Sequence, residues 1–361
     1  SGILAAARGG TGLDTSASTG LPFIASGAWS AVASTGTSSE YMISSSATLI
    51  NKRRVHSILA YGAACDGTTD DRTAVQNMFD AMVTGDKATF EGCKQIKINS
   101  QTNIANGSGT YGSTSSATTS TKDDLEIDGA GVNVTWGGSS GAVFNFNGPA
   151  ARIHFHNFYV NMAGNAGIAF DLNHTRLSTF ENLYVLANAD YGLRLRAYQV
   201  WTPGDGANGN IFDGIWINST TAGAKGLDIG YTDTCSSCST HLDPAQNHFR
   251  NIRARFDTGV GTYVASSIGM RLNFTDASQC DNCIFAAATA VSVNVPSGTG
   301  GASYPAGWQF NTLSAQGSTA SFAVTGTWTA VEKFGFVNYL TGDSQTVPTD
   351  SNTYGVTSSG V

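Results

Sequence analysis

Between Ala151 and Val295 apolar and polar positions alternate in short runs of two kinds. One kind opens on a small residue: GIAFDL from Gly167, GLRLRA from Gly192, GLDIGY from Gly226, GMRLNF from Gly269 and, more loosely, AVSVNV from Ala290. The other reads FHNFYV from Phe155, FENLYV from Phe180, FDGIWI from Phe212, FRNIRA from Phe249 and CDNCIF from Cys280. The two kinds take turns, five of each, at intervals of roughly 21 to 43 residues. Period-two alternation marks a strand with one buried face. Recurrence of such units along the chain marks a solenoid. The pattern predicts an all-β chain wound as a parallel β-helix, with Gly or Asn at its bends.

Upstream lies SILAYGAACDGTTDDRTAVQNMFDAM (Ser57–Met82), where an apolar strand meets a Gly/Asp turn and a helix follows. Thr69 or Asp70 is placed to cap that helix, and Asp70 and Asp71 suit its positive end. Val75, Met78, Phe79 and Met82 form one apolar stripe. Laid across the open first coil, this helix would cover unpaired strand edges. Short strands are expected at Ala88–Phe90, Gln95–Ile98, Leu125–Gly129 and Val143–Phe146, with a Ser/Thr/Gly surface loop over Asn106–Thr121.

Residues 1–55 carry no helical period and read either as a flexible leader or as an extended stem ordered by neighbouring subunits, because alone they bury too little apolar surface. After Val295, PSGTGGASYPAG reads as a break. The β-rich remainder is a final coil or a small trimerising cap. Three segments result: a stem (1–55), the β-helix (56–296) and a C-terminal β-rich segment (297–361).

Composition narrows the function. The 361 residues include 12% charged residues, 43 Gly and only 7 Pro, too apolar for disorder and without an 18-residue apolar run, so no membrane insertion is expected. A net charge of −7 with 19 Lys+Arg argues against nucleic acid as a partner. Low charge with abundant Gly, Ser, Thr and Asn suits an extracellular solenoid. The residue pattern calls for no cofactor.

The segment YGAACDGTTDDRTAVQNMFD (Tyr61–Asp80) resembles the entry segment of pectin-lyase-like right-handed β-helix proteins, which include phage tailspikes. GGTGL (Gly9–Leu13) is similar to repeats of phage tail-fibre stems. The resemblance implies a right-handed β-helix in a homotrimer on a virion tail.

 Its partners would be a host capsule, O-antigen or exopolysaccharide, its own sister subunits, and a tail or baseplate protein reached through the stem. The implied activity is polysaccharide depolymerisation by a hydrolase or a lyase, and inactive adhesins share the same motif. In this family Asp66, Asp70 and Asp71 brace the first coil and are not catalytic. Cys65 and Cys93 flank the helix, either as a disulfide or as buried thiols.

Alternation then sorts the side chains of each coil. In the Gly-led strands Arg194, Asp228 and Arg271 point outward, and with coils about 4.8 Å apart they form a surface ladder of alternating charge. In the other strands Phe155, Phe180, Phe212, Phe249 and Cys280 stack inward, and Asn157, Asn182, Gly214, Asn251 and Asn282 occupy the bend. Between them His156, Glu181, Asp213, Arg250 and Asp281 point outward. Glu181 and Asp213 fall on adjacent coils, at roughly the 5–5.5 Å separation of a retaining glycosidase pair, where repulsion between carboxylates would keep one protonated. A charge ladder satisfied by its own neighbours is the competing reading.

Past the bend Tyr159, Tyr184, Trp216 and Arg253 form an outward column, either a sugar-stacking platform or a contact between subunits. Two long insertions, Ala197–Asn210 and Thr232–His248, would wall a groove and bring Trp201 and, with Asp228, the reserve carboxylate Asp243. Arg194, Arg196, Arg253 and Arg255 keep lyase chemistry open. Cys280 and Cys283 align with inward apolar positions and read as buried thiols, Cys235 and Cys238 as a loop disulfide, and no metal is expected.

Overall fold

The computed structural model describes residues 21–25, 28–32, 53–106, 122–196, 207–230, 244–259, 262–273, 275, 277–294, 307–325, 334–341 and 353–354. Apart from two antiparallel pairs, Leu21–Ala25 with Ala28–Val32 and Asp257–Gly259 with Thr262–Tyr263, the strands pair in parallel, each with its counterpart one coil away. This is a parallel β-solenoid. The expected columns appear in register: Ala88, Ile127, Phe155, Phe180, Phe212, Phe249, Cys280 and Phe310 follow one another, and all are fully buried. The Phe180 and Phe212 rings stack at 5.2 Å and those of Phe212 and Phe249 at 4.6 Å. Stacked rings at these separations remove large apolar areas from water, which stabilises each coil on the next.

The Gly-led strands need glycine for closeness. A Cβ on Gly226 would lie 2.3 Å from the Gly269 carbonyl oxygen and 2.7 Å from the Ala254 Cβ, so only hydrogen fits. At the bend, Asn157, Asn182, Gly214, Asn251 and Asn282 all have positive φ, between 52° and 65°. Asn and Gly tolerate this left-handed conformation best. The asparagines also bond along the axis: Asn182 donates to Asn157 at 3.3 Å and Asn282 to Asn251 at 2.8 Å. A second polar ladder, absent from the sequence reading, lies wholly buried: Asn210 donates its side-chain amide to Asn247 at 2.9 Å, and Ser178 and Ser278 join it on either side.

The helix runs over Arg72–Ala81, with Val75, Met78, Phe79 and Met82 all buried as expected. Asp71 occupies the position before it, but its carboxylate turns back to the Ala64 amide at 2.6 Å, while Asp70 accepts the Arg72 amide at 3.1 Å. Asp66 accepts the Thr68 and Thr69 amides, which hold its carboxyl far below the usual carboxylate range. Gln76 bonds both the N–H and the C=O of Asn103, acting as a neighbouring strand would for the strand Thr102–Asn106. Cys65 and Cys93 form a disulfide. Beyond residue 296, Gln309–Thr325 and Phe334–Thr341 stack in parallel on Gln279–Asn294, so these strands continue the solenoid.

Candidate functional site

The bend sets the geometry of the exposed face. Phe155 and Phe158, on either flank of Asn157, bring their ring centroids to 4.4 Å inside the coil. The inner side of the bend is therefore concave, and outward residues on its two flanks diverge. The charged column and the aromatic column are separate surfaces, not two walls of one platform.

On the first flank Asp128, His156, Glu181, Asp213, Arg250 and Asp281 are in register. Glu181 and Asp213 are adjacent, as expected, yet each has its own partner. Glu181 meets His154 at 3.0 Å. Asp213 meets Arg250 at 2.9 Å and accepts the Asn251 amide at 2.8 Å. His156 belongs to the preceding coil, 3.6 Å from both Glu126 and Asp128 and stacked on His154 at 4.1 Å. Burial, and then the proximity of His154, hold the His156 ring below its ordinary pKa. Glu126, Asp128 and His156 are near enough to share a cation, but the Lys87 ammonium already lies 2.7 Å from Glu126 and 3.5 Å from Asp128. Its hydrogen bond to Glu126 raises the lysine pKa.

On the second flank Tyr159 and Tyr184 stack at 5.2 Å with planes 11° apart, and Trp216 follows at 5.4 Å, tilted by 42°. The tyrosines turn these ring faces toward each other. Arg253 lies over the Trp216 ring at 5.2 Å. Here a cavity of about 440 Å³ opens, lined by Trp216, Asn218, Ser219, Arg253, Arg255 and Asp257 among others. Trp216 is 39% exposed. Arg255 is paired with Asp257. Arg253 has no carboxylate partner among the described residues, and its Nε is buried without a hydrogen bond.

The Gly-led face differs most from expectation. Arg194, Asp228 and Arg271 are in register, but the ladder is not a surface one. Asp228 is 2% exposed, held by Arg271 at 2.7 Å and Asn273 at 2.9 Å. Asp171, also buried, takes both Arg194 and Arg196 at 2.7 Å. Asp228, the reserve carboxylate of the sequence reading, is thus buried among scaffold partners. Cys280 and Cys283 are also corrected: they form a disulfide, not buried thiols. Trp201, Asp243, Cys235 and Cys238 lie outside the described residues.

Of the sequence-derived candidates, Trp216 and Arg253 share the cavity. Glu181, Asp213, His156 and Arg250 lie across the bend from it. His154, Asn218 and Asp257 were missed, although period-two alternation carried one step further along each strand reaches all three: His154-x-His156, Trp216-x-Asn218 and Arg253-x-Arg255-x-Asp257.

The fold and this face define a parallel β-solenoid with a cavity walled by Trp216 and lined by both apolar and polar residues. No protein-family model matches the sequence, and no curated protein matches it. Among solved structures the chain is similar to ORF18 of Geobacillus virus E2, with a TM-score of 0.46 and 14% identity over 80% of this chain and 57% of that one. It thus spans little more than half of the viral protein. It is also similar to the A-module of the Azotobacter vinelandii mannuronan C-5 epimerase AlgE6 (TM-score 0.36, 12% identity, 85% and 98% covered). A third likeness is the catalytic unit of a GH87 α-1,3-glucanase from Streptomyces thermodiastaticus strain HF3-3 (TM-score 0.34, 11% identity, 89% and 71% covered).

Proposed function

We propose that the chain is a glycan-binding, right-handed β-helix of a phage-type tail, which engages a host surface polysaccharide through the Trp216–Arg253 cavity. The observation that carries this reading is the cavity itself: a half-exposed indole beside an arginine with free donors, rimmed by Asn218 and Ser219. Concave sites with an aromatic wall and a few polar groups are where small ligands bind. The entry motif and the GGTGL segment support the tail assignment, with the helix Arg72–Ala81 closing the first coil, the stem reaching a tail protein and three copies assembling together. The test is a binding panel of bacterial capsules and lipopolysaccharides with the full chain. Binding that Trp216→Ala weakens at least about tenfold supports the reading, and a panel with no binding overturns it.

A second reading, cleavage by Glu181 and Asp213, is favoured by their adjacency in register. Against it, the Asp213 oxygens are engaged by Arg250 and Asn251, and neither carboxylate lines the cavity. New reducing ends, or absorbance near 230–235 nm from an unsaturated product, would establish a depolymerase. Loss of cleavage in Glu181→Gln would assign the acid.

A further inference from the structure

We infer that Tyr61 is an acyl-transfer site, a phenol nucleophile whose proton is taken up by the buried His56–Asp86 pair at the capped end of the solenoid, on a different coil from Trp216. Two short pieces of sequence build it. His56 lies on the strand Val55–Ser57, which pairs in parallel with Lys87–Thr89, so Asp86, just ahead of the second strand, falls beside the ring. The 3₁₀ turn Ile58–Tyr61 then folds Tyr61 back over His56, with ring centroids 6.1 Å and planes 28° apart. Gly62 ends that turn at φ 82°, a conformation that glycine adopts without strain.

The contacts fix the direction of each hydrogen bond. His56 Nε2 lies 2.9 Å from Asp86 Oδ2, and His56 Nδ1 lies 2.6 Å from the Tyr61 hydroxyl. An ionised carboxylate only accepts, and Asp86 accepts from Arg54 and from the Val83 amide as well. In the neutral ring the hydrogen is therefore on Nε2, and Nδ1 is the acceptor to which Tyr61 donates. A hydroxyl within reach of a base that a third group orients is the arrangement of an activated nucleophile. His56 and Asp86 are each only 3% exposed, whereas the pair of His154 and Glu181 lies at the surface. Tyr61 itself is only partly buried and so meets solvent.

The same contacts select the electrophile. Arg54 spends its Nε and Nη2 on Asp86, and the two charges cancel. An anionic phosphoryl donor finds no counter-charge in this pair, whereas a neutral acyl group needs none. In the step, the Tyr61 oxygen bonds to the acyl carbon, and the bond from that carbon to the leaving group breaks with its electron pair. The phenol proton passes to His56 Nδ1 and from there to the leaving group. Asp86 and Arg54 are positioning residues that hold the ring.

The test treats the full chain with p-nitrophenyl acetate near neutral pH and follows acetylation of each tyrosine by peptide mass spectrometry. Tyr61 should be acetylated at least about tenfold faster than the other tyrosines, and unfolding in urea should remove that advantage. His56→Gln should lower the Tyr61 rate by about tenfold or more and leave the other tyrosines unchanged, with thermal unfolding reporting that the variant is folded. Equal rates at Tyr61 and the other tyrosines, an advantage that survives urea, or an unchanged Tyr61 rate in folded His56→Gln would each overturn the site. Should His56→Gln fail to fold, the comparison of native with urea-unfolded chain decides alone.

Discussion

Cys280 and Cys283 are bonded across Asn282, at the place where Phe155 and Phe158 touch across Asn157. The left-handed bend turns every such pair of inward side chains toward each other, so cysteines there meet as closely as phenylalanines do. The bond closes a separation of only 3 residues, whereas Cys65–Cys93 closes 28. By loop-closure entropy the short bridge contributes about 2 kcal/mol and the long one about 3.5 kcal/mol. Urea unfolding should therefore show a larger loss for Cys65→Ser/Cys93→Ser than for Cys280→Ser/Cys283→Ser. The reverse order would mean that packing around Cys280 outweighs chain entropy.

Thr312 follows Asn282 in the bend column and has φ 58°. A β-branched residue is strained there, while asparagine tolerates the conformation. Thr312→Asn should stabilise the chain by about 1 kcal/mol, read as a raised urea midpoint. An unchanged or lowered midpoint would count against the bend as the source of strain.

His156 is held below its ordinary pKa of 6.5 by burial and by His154, against the opposing pull of Asp128 and Glu126. The unfolded chain then binds more protons than the folded one in the interval below 6.5, so stability rises with pH there. The contribution is complete above about 6.5 and is lost as pH falls through the lowered value. Stability measured from pH 7.5 to 5 should decline on acidification, and His156→Gln should flatten part of that decline.

Asp228 is the acceptor for Arg271 and Asn273 on a buried face. Asp228→Ala leaves the Arg271 guanidinium without its carboxylate, with only the Tyr191 hydroxyl still bonded to it, and should cost about 3–5 kcal/mol, seen as an early thermal transition. A variant with unchanged stability that has lost glycan binding would return Asp228 to the site.

The solenoid was readable from its periodicity because its inward columns are apolar and its bends chemically distinctive: Phe180 and Asn182 each announce their place. Burial of the outward Gly-led residues was not, since alternation tells which way Asp171 and Asp228 point but not what covers them. The Cys280–Cys283 bond escaped for a related reason: aligning both residues with apolar positions hid that those positions touch. The partners of Glu181 and Asp213 also required three dimensions. His154 lies on the strand before Glu181, while Asn251 reaches Asp213 from the next coil.

The bend column has one more consequence. Its members recur at unequal steps, with Asn157 to Asn182 shorter than Gly214 to Asn251, yet the strands around them stay in register. Insertions and deletions are therefore confined to the turns away from the bend, and the core does not record them. A lineage built on this plan can lengthen, shorten or exchange whole turns, and so change what its surface presents, while leaving the staircase beneath them untouched.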